Sequence, residues 1–489
     1  MKKNNKIIVF LTILVLVSSG TLTSANIIQT KNDNFNEKEK FLYSNFENII
    51  ANWTLMHYLS FDNHHVSYEI DIKMENFTKI GSSDDFNLIV ASDGEEYGDS
   101  SIYYVEQDDA VKINNDFNWP EEVDMGNPNT VKSFINLVKQ NYPAKHYAII
   151  FYTDCGSGWQ GVLRDTDGGN DSGFPLMTIP MLAEVFKDVT EDGSDKFDVV
   201  GIMTCLSGSL EIAYELSPYV KYIVFSEEHM LEPLDKGPEY IFQYVKTTWN
   251  LKNNTNMTPE EYAKSLVDYF KPCYFPLWVF YIYEIIYKKG EISPLLKALS
   301  NVLTKILNNR KNPDCHIANI DTTLSTINLS RLGNVKNSLN KLTSELILYI
   351  EDEDIKNAIS NARKNVRSYG HFYPKNQEVS KLAMIFLIEK LMFDSYVDLY
   401  NLVDLIYRSV ENNEIKNLCL QLMDQINYSV VKKTSMPSDN SNGFSIYFPK
   451  EKNLYNKYIW NDEFNPEYEN LKFSKDTPWD EFLKTYLDI

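Results

Sequence analysis

The stretch IIFYTDCGSGWQG, from Ile149 to Gly161, joins an apolar run to a glycine-rich loop. The apolar half predicts a buried strand, because short apolar runs bounded by glycine are typical of strands covered on both faces. The glycines also match G-x-G-x-x-G, which raises a dinucleotide-binding loop as an alternative. That loop requires its last glycine to open a helix, whereas Gly161 is followed by VLRDTDGGNDSGFP, which has the composition of a loop. The stretch therefore favours the rim of a different kind of site.

Short apolar runs alternate with amphipathic segments on both sides of this stretch. The predicted strands are WTLMHYLSF, FNLIVAS, HYAIIFYT, FDVVGIMT and YIVFSEE. Helices such as PNTVKSFINLVKQNY and GSLEIAYELSPY lie between them. The alternation predicts an α/β fold with a doubly wound, mostly parallel sheet and helices on both faces. Ligands of such sheets bind at the carboxyl ends of the strands, which is where the glycine-rich loop begins.

The sequence after residue 250 has a mostly helical pattern. VSKLAMIFLIEKLMF and SYVDLYNLVDLIYRSV predict helices, and YFPLWVFYIYEIIY predicts a buried helix because Pro276 and Glu284 exclude a membrane span. Near the end, NGFSIYFP predicts a strand and DTPWDEFLKTYL a closing helix. We therefore expect an α/β core over residues 26–250 and a helix-rich C-terminal lobe over residues 251–489.

The first 25 residues have the features of a secretory signal peptide. Lys2, Lys3 and Lys6 precede an apolar core, and small residues lead to a cleavage position after Ala25. The apolar core is about eleven residues long, whereas a membrane-spanning helix needs about 20. We therefore expect a secreted or extracellular protein with no stable membrane span after cleavage.

Charge and cysteine usage exclude several classes of protein. The net charge is −21, from 47 basic and 68 acidic residues, which disfavours nucleic acid as a partner and is typical of a solvated acidic surface. The five cysteines form no C-x-x-C pair, so they predict neither a disulfide scaffold nor a zinc knuckle.

A second loop of interest lies in KFDVVGIMTCLSGSLEIAYEL, from Lys196 to Leu216. It places Cys205 where an apolar strand ends and a helix is predicted to begin. The positive end of a helix lowers the pKa of a nearby thiol and favours the nucleophilic thiolate. Alternatively, Cys205 only fills space as a small buried apolar side chain, as most free cysteines do.

The chain resembles the clostripain family of caspase-fold cysteine peptidases over roughly residues 50–487. The resemblance is carried by these blocks in order: WTLMHYLSFDN, MGNPNTVKSFINLVKQNYPAKHYAIIFYTDCGSGW, KFDVVGIMTCLSGSLEIAYEL, YIVFSEE, GFSIYFP and DTPWDEFL. It implies a caspase-like fold, a peptide or protein substrate or ligand, and a Cys–His dyad in which the histidine moves protons. Cys205 falls on the nucleophile of the family, and the amides of Cys205 and Gly156 fall where an oxyanion would be held.

Two positions depart from the family pattern. The family has histidine directly before GSGW, where this sequence has Cys155. Without an imidazole a thiol is mostly protonated at neutral pH and the leaving amine has no general acid, so we expect impaired catalysis. The family usually has aspartate two residues before the nucleophile, associated with basic P1 side chains, where this sequence has Met203. Met203 is therefore assigned to a specificity pocket that does not favour arginine or lysine.

Three other histidines are candidates for a substitute base. His64 and His65 follow the first predicted strand, and His229 follows YIVFSEE, so each is near a carboxyl strand end. His146 begins the strand that leads to the glycine loop, and at about 3.3 Å per residue it lies about 30 Å from Cys155, which excludes it.

Other chemistry remains open at the same positions. Cys155 and Cys205 could form a disulfide, or they could hold zinc together with His64 or His65, although two free thiols are the simpler interpretation. Asp165, Asp167 and Asp171 have the composition of a calcium loop but fail the EF-hand spacing, so a solvated loop is the default and calcium a weak alternative.

The sequence thus predicts a peptide- or protein-binding pseudopeptidase with no cofactor. The first alternative is an active cysteine endopeptidase that uses Cys205 with a substitute base. The second is a surface-associated structural protein, which the acidic surface permits and no motif supports.

Overall fold

The computed structural model describes residues 50–61, 68–153, 156–163, 165, 176–228, 230, 243–270, 274–276, 319–321, 323–369, 395–435, 441–456 and 466–489. The strands are β1 (Ala51–Ser60), β2 (Phe86–Asp93), β3 (Ser101–Glu106), β4 (Asp109–Lys112), β5 (Ala144–Thr153), β6 (Phe197–Met203), β7 (Val220–Phe225), β8 (Tyr274–Pro276), β9 (Asn319–Asp321), β10 (Leu324–Asn328), β11 (Ser368–Tyr369), β12 (Tyr396–Asp398), β13 (Val430–Thr434) and β14 (Ser445–Tyr447).

The described helices alternate with these strands in the first half and dominate the second half. They are α1 (Tyr68–Ile80), α2 (Asn114–Phe117), α3 (Pro128–Asn141), α4 (Ile179–Val189), α5 (Leu210–Leu216), α6 (Gln243–Asn253), α7 (Pro259–Asp268), α8 (Leu332–Leu348), α9 (Glu353–Asn365), α10 (Leu399–Ser409), α11 (Asn413–Ser429), α12 (Lys472–Asp476) and α13 (Trp479–Leu487). Several begin at the capping signals that their sequences carry; for example, the Asn127 side chain accepts from the Asn129 amide at the start of α3.

One nine-stranded sheet forms the centre of the fold, in the order β13-β10-β7-β6-β5-β1-β2-β3-β4. The five strands β7, β6, β5, β1 and β2 are mutually parallel. The strands outside them each pair antiparallel with their neighbours in the sheet. The predicted fold class, a doubly wound, mostly parallel sheet with a helix-rich C-terminal part, is confirmed.

Apolar residues cover both faces of the parallel strands. Ile149, Val200 and Ile223 lie in register on β5, β6 and β7 and belong to one core cluster. Their neighbours Ala148 and Val199 point to the opposite face and belong to a second cluster. Burial on two faces explains why these strands are continuous apolar runs in the sequence rather than alternating ones.

The C-terminal half also contributes to this sheet. Strand β10 pairs antiparallel with β7, and β13 pairs antiparallel with β10. The sequences LSTIN and VVKKT are short and partly polar, and neither was predicted as a strand. The division of the chain at residue 251 stays a prediction, and the sheet itself extends past it.

Two predicted helices differ from the structure. In SYVDLYNLVDLIYRSV the helix begins only at Leu399, because Tyr396–Asp398 form β12 and the Asp398 side chain caps α10 by accepting from the Asn401 amide. In YFPLWVFYIYEIIY the first three residues are strand β8, paired with β9, and the remainder lies outside the described residues. The predicted helix VSKLAMIFLIEKLMF also lies outside them.

The helices of the described residues are too short or too polar to cross a membrane. The predicted signal peptide, residues 1–25, lies outside the described part of the chain.

We predict that Phe186→Ala lowers the free energy of unfolding by about 3–5 kcal/mol. Phe186 is fully buried on α4 and makes edge contacts with Phe151 and Phe197. Urea denaturation measures the loss, and Tyr97→Ala is the control because Tyr97 is 76% exposed and its replacement should cost less than about 0.5 kcal/mol. A loss at Phe186 no larger than that of the control would contradict the assigned core.

Candidate active site

Cys205 lies in a tight loop that follows β6. The Ser207 hydroxyl lies 2.9 Å from the carbonyl oxygens of both Ile202 and Thr204, so the chain folds back directly after the strand. Leu206 has a φ of 56°, which is uncommon for a residue other than glycine. The thiol of Cys205 is half-buried, and its Sγ is 3.8 Å from the Met230 carbonyl oxygen.

The helix after this loop begins later than the sequence analysis expected. Helix α5 starts at Leu210, and the Ser209 hydroxyl caps it by accepting from the Ile212 amide at 3.3 Å. Cys205 is therefore separated from the helix by four residues rather than lying at its positive end. The expected effect of the helix terminus on the thiol has no support in this geometry.

The glycine-rich loop after β5 meets the cysteine loop. A Cβ atom built on Gly156 would lie 2.0 Å from the Cys205 carbonyl oxygen and 2.8 Å from the Thr204 side chain. The two backbones thus approach so closely that only glycine fits at position 156. The structure brings Gly156 and Cys205 together, while Cys155 lies outside the described residues.

Tyr396 fixes the other side of the glycine-rich loop. Its hydroxyl donates to the Ser157 carbonyl oxygen and accepts from the Trp159 amide, both at 3.0 Å. Gly158 has a φ of 58° and lies against the Tyr396 ring, so a side chain there would clash. The Trp159 ring packs edge-on against Tyr447, which pairs with Tyr396 across β12 and β14.

Buried acids connect the cysteine loop to the C-terminal strands. Glu227 and Glu228 follow β7 after Ser226, and the Leu206 amide donates to the Glu228 carbonyl oxygen. The Gly443 amide donates to the Glu227 carboxylate at 3.1 Å, and Arg367 forms an ion pair with Glu228 at 3.2 Å. Both carboxyl groups are buried, so their partners are needed to offset desolvation.

Glu211, in the first turn of α5, provides a similar connection. Its Oε1 accepts from the Tyr447 amide at 2.9 Å and from the Tyr468 hydroxyl at 2.8 Å. Burial raises the pKa of the Glu211 carboxyl above its usual range, and these hydrogen bonds partly oppose the shift. The backbone of Ser445 reinforces the contact, since its amide donates to the Gly208 carbonyl oxygen at 2.8 Å.

Met203, the residue assigned to the specificity pocket, is the last residue of β6. It pairs in register with Tyr152 on β5 and is 6% exposed. Both belong to the core cluster on one face of the sheet, which also contains Tyr244 and Phe61. Its surroundings are thus largely apolar.

Two histidines fall within the described residues, and neither approaches Cys205. His57 lies inside β1, in register with Ile150, and packs against the rings of Phe77 and Tyr152. His146 lies near the start of β5, with its Nδ1 3.2 Å from Asp198. The candidate bases His64, His65 and His229 lie outside the described residues.

The calcium alternative has one described member. The Asp165 carboxylate accepts from the Met125 amide at 2.7 Å, and Asp167 and Asp171 lie outside the described residues. Within the described ranges, no group of three His, Cys, Asp or Glu side chains is arranged to hold a metal. The sequence does not fit an EF-hand, because Gly169 and Leu176 stand at the fifth and twelfth positions of the loop, where that motif has calcium ligands.

A mostly parallel sheet whose carboxyl edge carries a glycine loop against a cysteine loop defines a caspase-like protease fold. Residues 57–486 match the clostripain family, so the chain belongs to that family. The resemblance seen in the sequence is therefore confirmed.

Clostripain from Hathewaya histolytica is 22% identical over 477 residues, covering 88% of this chain and 81% of clostripain. An inactive zymogen C11 protease from Parabacteroides distasonis has a TM-score of 0.50 at 14% identity, covering 88% of this chain and 98% of its own. A secreted C11 cysteine protease from Bacteroides thetaiotaomicron has a TM-score of 0.50 at 12% identity, covering 88% of this chain and all of its own. At these identities the solved structures show a shared fold.

The sequence analysis did not identify the residues that fix the two loops. Tyr396, Arg367 and Gly443 come from segments more than 130 residues away in the chain. Tyr396 lies in a segment that was predicted as helix, and no local signal marks its contact with Ser157.

We predict that Tyr396→Phe lowers the free energy of unfolding by about 1–3 kcal/mol, because a buried carbonyl oxygen and a buried amide both lose their partner. Tyr428→Phe is the control, since Tyr428 is 55% exposed and should be nearly neutral. Urea unfolding of both variants measures the difference. Equal stability of the two would show that the Tyr396 hydroxyl does not hold the loop.

We also predict a loss of stability on acidification that depends on His57. Burial, followed by the charge of Lys73, lowers the pKa of His57 to about 3. Below about pH 6.5 the unfolded chain takes up a proton that the folded chain accepts only near pH 3, so stability falls as pH falls through this range. At about 1.4 kcal/mol per pKa unit the total is on the order of 5 kcal/mol.

Urea titrations between pH 7.5 and 4.5 test this prediction with His57→Gln. The variant should show a clearly smaller loss of stability on acidification than the wild-type chain. The same pH slope in both proteins would contradict the assignment.

Proposed function

We propose that this chain is a secreted, peptide-binding pseudopeptidase of the clostripain family. The observation that carries the proposal is the close contact between the loops of Gly156 and Cys205, combined with Cys155 at the position of the family's histidine. A site assembled in this way keeps a thiol beside a glycine-rich loop. It lacks the imidazole that the chemistry requires.

The missing imidazole affects two steps of peptide hydrolysis. A thiol without a basic partner is only a few per cent ionised at neutral pH, so attack on the carbonyl is slow. The leaving amine must also receive a proton, and a cysteine at position 155 is a poor donor for that step. Binding of a peptide requires neither step, so it would persist.

Export is part of the same proposal. It is supported by the features of residues 1–25, which resemble a signal peptide, and by the secreted C11 protease from Bacteroides thetaiotaomicron that shares the fold.

A second candidate function is an active endopeptidase with Cys205 as nucleophile and a substitute base. It is favoured by the positions of three histidines in the sequence relative to two strand ends. β1 ends at Ser60, shortly before His64 and His65, and β7 ends at Phe225, shortly before His229. Both strand ends are on the carboxyl edge of the sheet, where the thiol also lies.

Labelling with an electrophilic peptidyl probe distinguishes the two functions. We expect the mature wild-type chain to label at Cys205 slowly and to cleave no peptide. Cys155→His should accelerate labelling by at least about a hundredfold, the usual contribution of a general base. Peptide mapping by mass spectrometry identifies the labelled cysteine, and a fluorescent peptide reports binding.

Two variants serve as controls in this experiment. Cys205→Ala should abolish labelling in every background, and Cys155→Ser should behave as wild type because it supplies no imidazole. Rapid labelling of wild-type Cys205 with peptide cleavage would contradict the pseudopeptidase and support the endopeptidase.

A further inference from the structure

Asn442 and Gly443 lie just before β14 and are the single Asn-Gly pair in the sequence. In such a pair the backbone nitrogen of the glycine can attack the side-chain amide carbon of the asparagine. The attack closes a five-membered ring, and glycine has no side chain to obstruct it. The product is a cyclic imide, a succinimide, and ammonia leaves. Hydrogen bonds to the amide and to the attacking nitrogen therefore decide how readily the pair reacts.

The side-chain amide of Asn442 is bound at both of its polar atoms. The Lys433 ammonium donates to the Asn442 Oδ1 at 2.7 Å, and the Asn442 Nδ2 donates to the Asp398 carboxyl group at 3.1 Å. The orientation of the amide follows from these partners, since an ammonium can only donate. A cation on the amide oxygen makes the amide carbon more electrophilic and stabilises the negative charge that develops on the oxygen during attack.

The attacking nitrogen has a basic partner. The Gly443 amide donates to the Glu227 carboxylate at 3.1 Å, so the proton that must leave this nitrogen already points at a base. Gly443 has a φ of 127°, and a Cβ built there would lie 2.5 Å from the Val430 side chain. The fold thus requires glycine at the position where glycine also favours the reaction.

Asp398 connects the base to the leaving group. It is fully buried and hydrogen-bonds both the Glu227 carboxyl group and the Asn442 side chain. Burial raises the pKa of the Asp398 carboxyl above its usual range, which favours the protonated form that can donate to a leaving nitrogen. The two carboxyl groups provide a route for a proton from the Gly443 nitrogen to the Asn442 Nδ2.

We propose that Asn442–Gly443 is a self-modification site, at which the folded chain promotes its own conversion to a succinimide and then to aspartate or isoaspartate. The Gly443 nitrogen forms a bond to the Asn442 Cγ and gives its proton to Glu227. The Cγ–Nδ2 bond breaks, its electron pair stays on the nitrogen, and a proton from Asp398 completes ammonia. Glu227 then returns a proton to Asp398, so both carboxyl groups end as they began. A water molecule opens the imide at either of its carbonyl carbons.

The products change a contact that holds the C-terminal strands. Each places a carboxylate at residue 442, against Asp398, where the amide of Asn442 now donates. Asp398 is the last residue of β12, which also carries Tyr396, whose hydroxyl holds the glycine-rich loop. Repulsion between the two carboxyl groups loosens this strand. The reaction therefore limits the lifetime of the site, whether or not the site binds a peptide.

Peptide mapping of the full mature chain by mass spectrometry measures the reaction at neutral pH. It follows Asn442 in the folded chain, in the chain unfolded by guanidinium, and in a synthetic peptide spanning residues 438–448. We expect conversion at least about tenfold faster in the folded chain than in the other two, because only the fold supplies the base and the cation. Isoaspartate should appear beside aspartate, since direct hydrolysis of the amide gives aspartate alone.

Two neighbouring lysines on β13 provide a variant and its matched control. Lys433→Met removes the cation from the amide oxygen and should slow conversion in the folded chain by about tenfold, less than for a buried oxyanion donor because Lys433 is exposed. Lys432 pairs with Asp268 instead, so Lys432→Met should leave the rate unchanged.

The stability of Asn442→Asp tests the consequence of the modification. The variant carries the charge of the product, so its urea midpoint of unfolding should lie below that of the wild-type chain. An unchanged midpoint would overturn the limit on the lifetime of the site.

Conversion no faster in the folded than in the unfolded wild-type chain would show that the hydrogen bonds protect Asn442, and it overturns the inference even if a variant fails to fold. Equal rates in folded Lys433→Met and Lys432→Met overturn it too. Aspartate without isoaspartate would exclude the succinimide and has the same meaning. The proposed function stands in each of these cases, because none of them concerns peptide binding.

Discussion

The close approach of Gly156 to the carbonyl oxygen of Cys205 is the constraint on which the site depends. Parallel pairing of β5 and β6 brings their carboxyl ends to one edge, so the loops that leave them are neighbours by topology. Contact at this distance further requires that one loop has no side chain at the point of meeting. This steric requirement explains why position 156 is a glycine. It applies whether or not the site catalyses a reaction.

The C-terminal half of the chain also holds the two loops. Buried carboxyl groups of Glu211, Glu227 and Glu228 face the C-terminal strands, and backbone amides, Arg367 and Tyr468 bind them. Removing a partner from such a group costs more than the pair contributes, because a buried acceptor is left without a donor. The C-terminal half is therefore an integral part of the site rather than a separate addition.

The parallel strands could be predicted from the sequence because burial on two faces leaves unbroken apolar runs, as in FDVVGIM. The antiparallel strands β10 and β13 could not, since LSTIN and VVKKT are short and gain their stability from the neighbouring strands. The start of α5 was placed too early because the loop between β6 and the helix is short, so that Cys205 looked adjacent to the helix. Ser209, a good N-cap residue, was the local signal for the true start.

For the site, Cys205 and Gly156 could be identified from their motifs, and their contact follows from strand order. Tyr396 could not be identified, because its contacts join residues far apart in the chain. It looks like part of a helix in its own segment, and only the packing shows that its hydroxyl holds the glycine-rich loop.

The proposed loss of peptidase activity rests on Cys155, which stands where the family has its histidine. The pH dependence of alkylation at Cys205 in the wild-type chain, resolved by mass spectrometry of the modified peptide, tests it most directly. The account predicts a rate that rises about tenfold per pH unit from pH 6 to 8, as expected for a thiol that no neighbouring cation activates. A rate that has already reached its plateau at pH 6 would reveal a thiolate paired with a base, and would contradict the account.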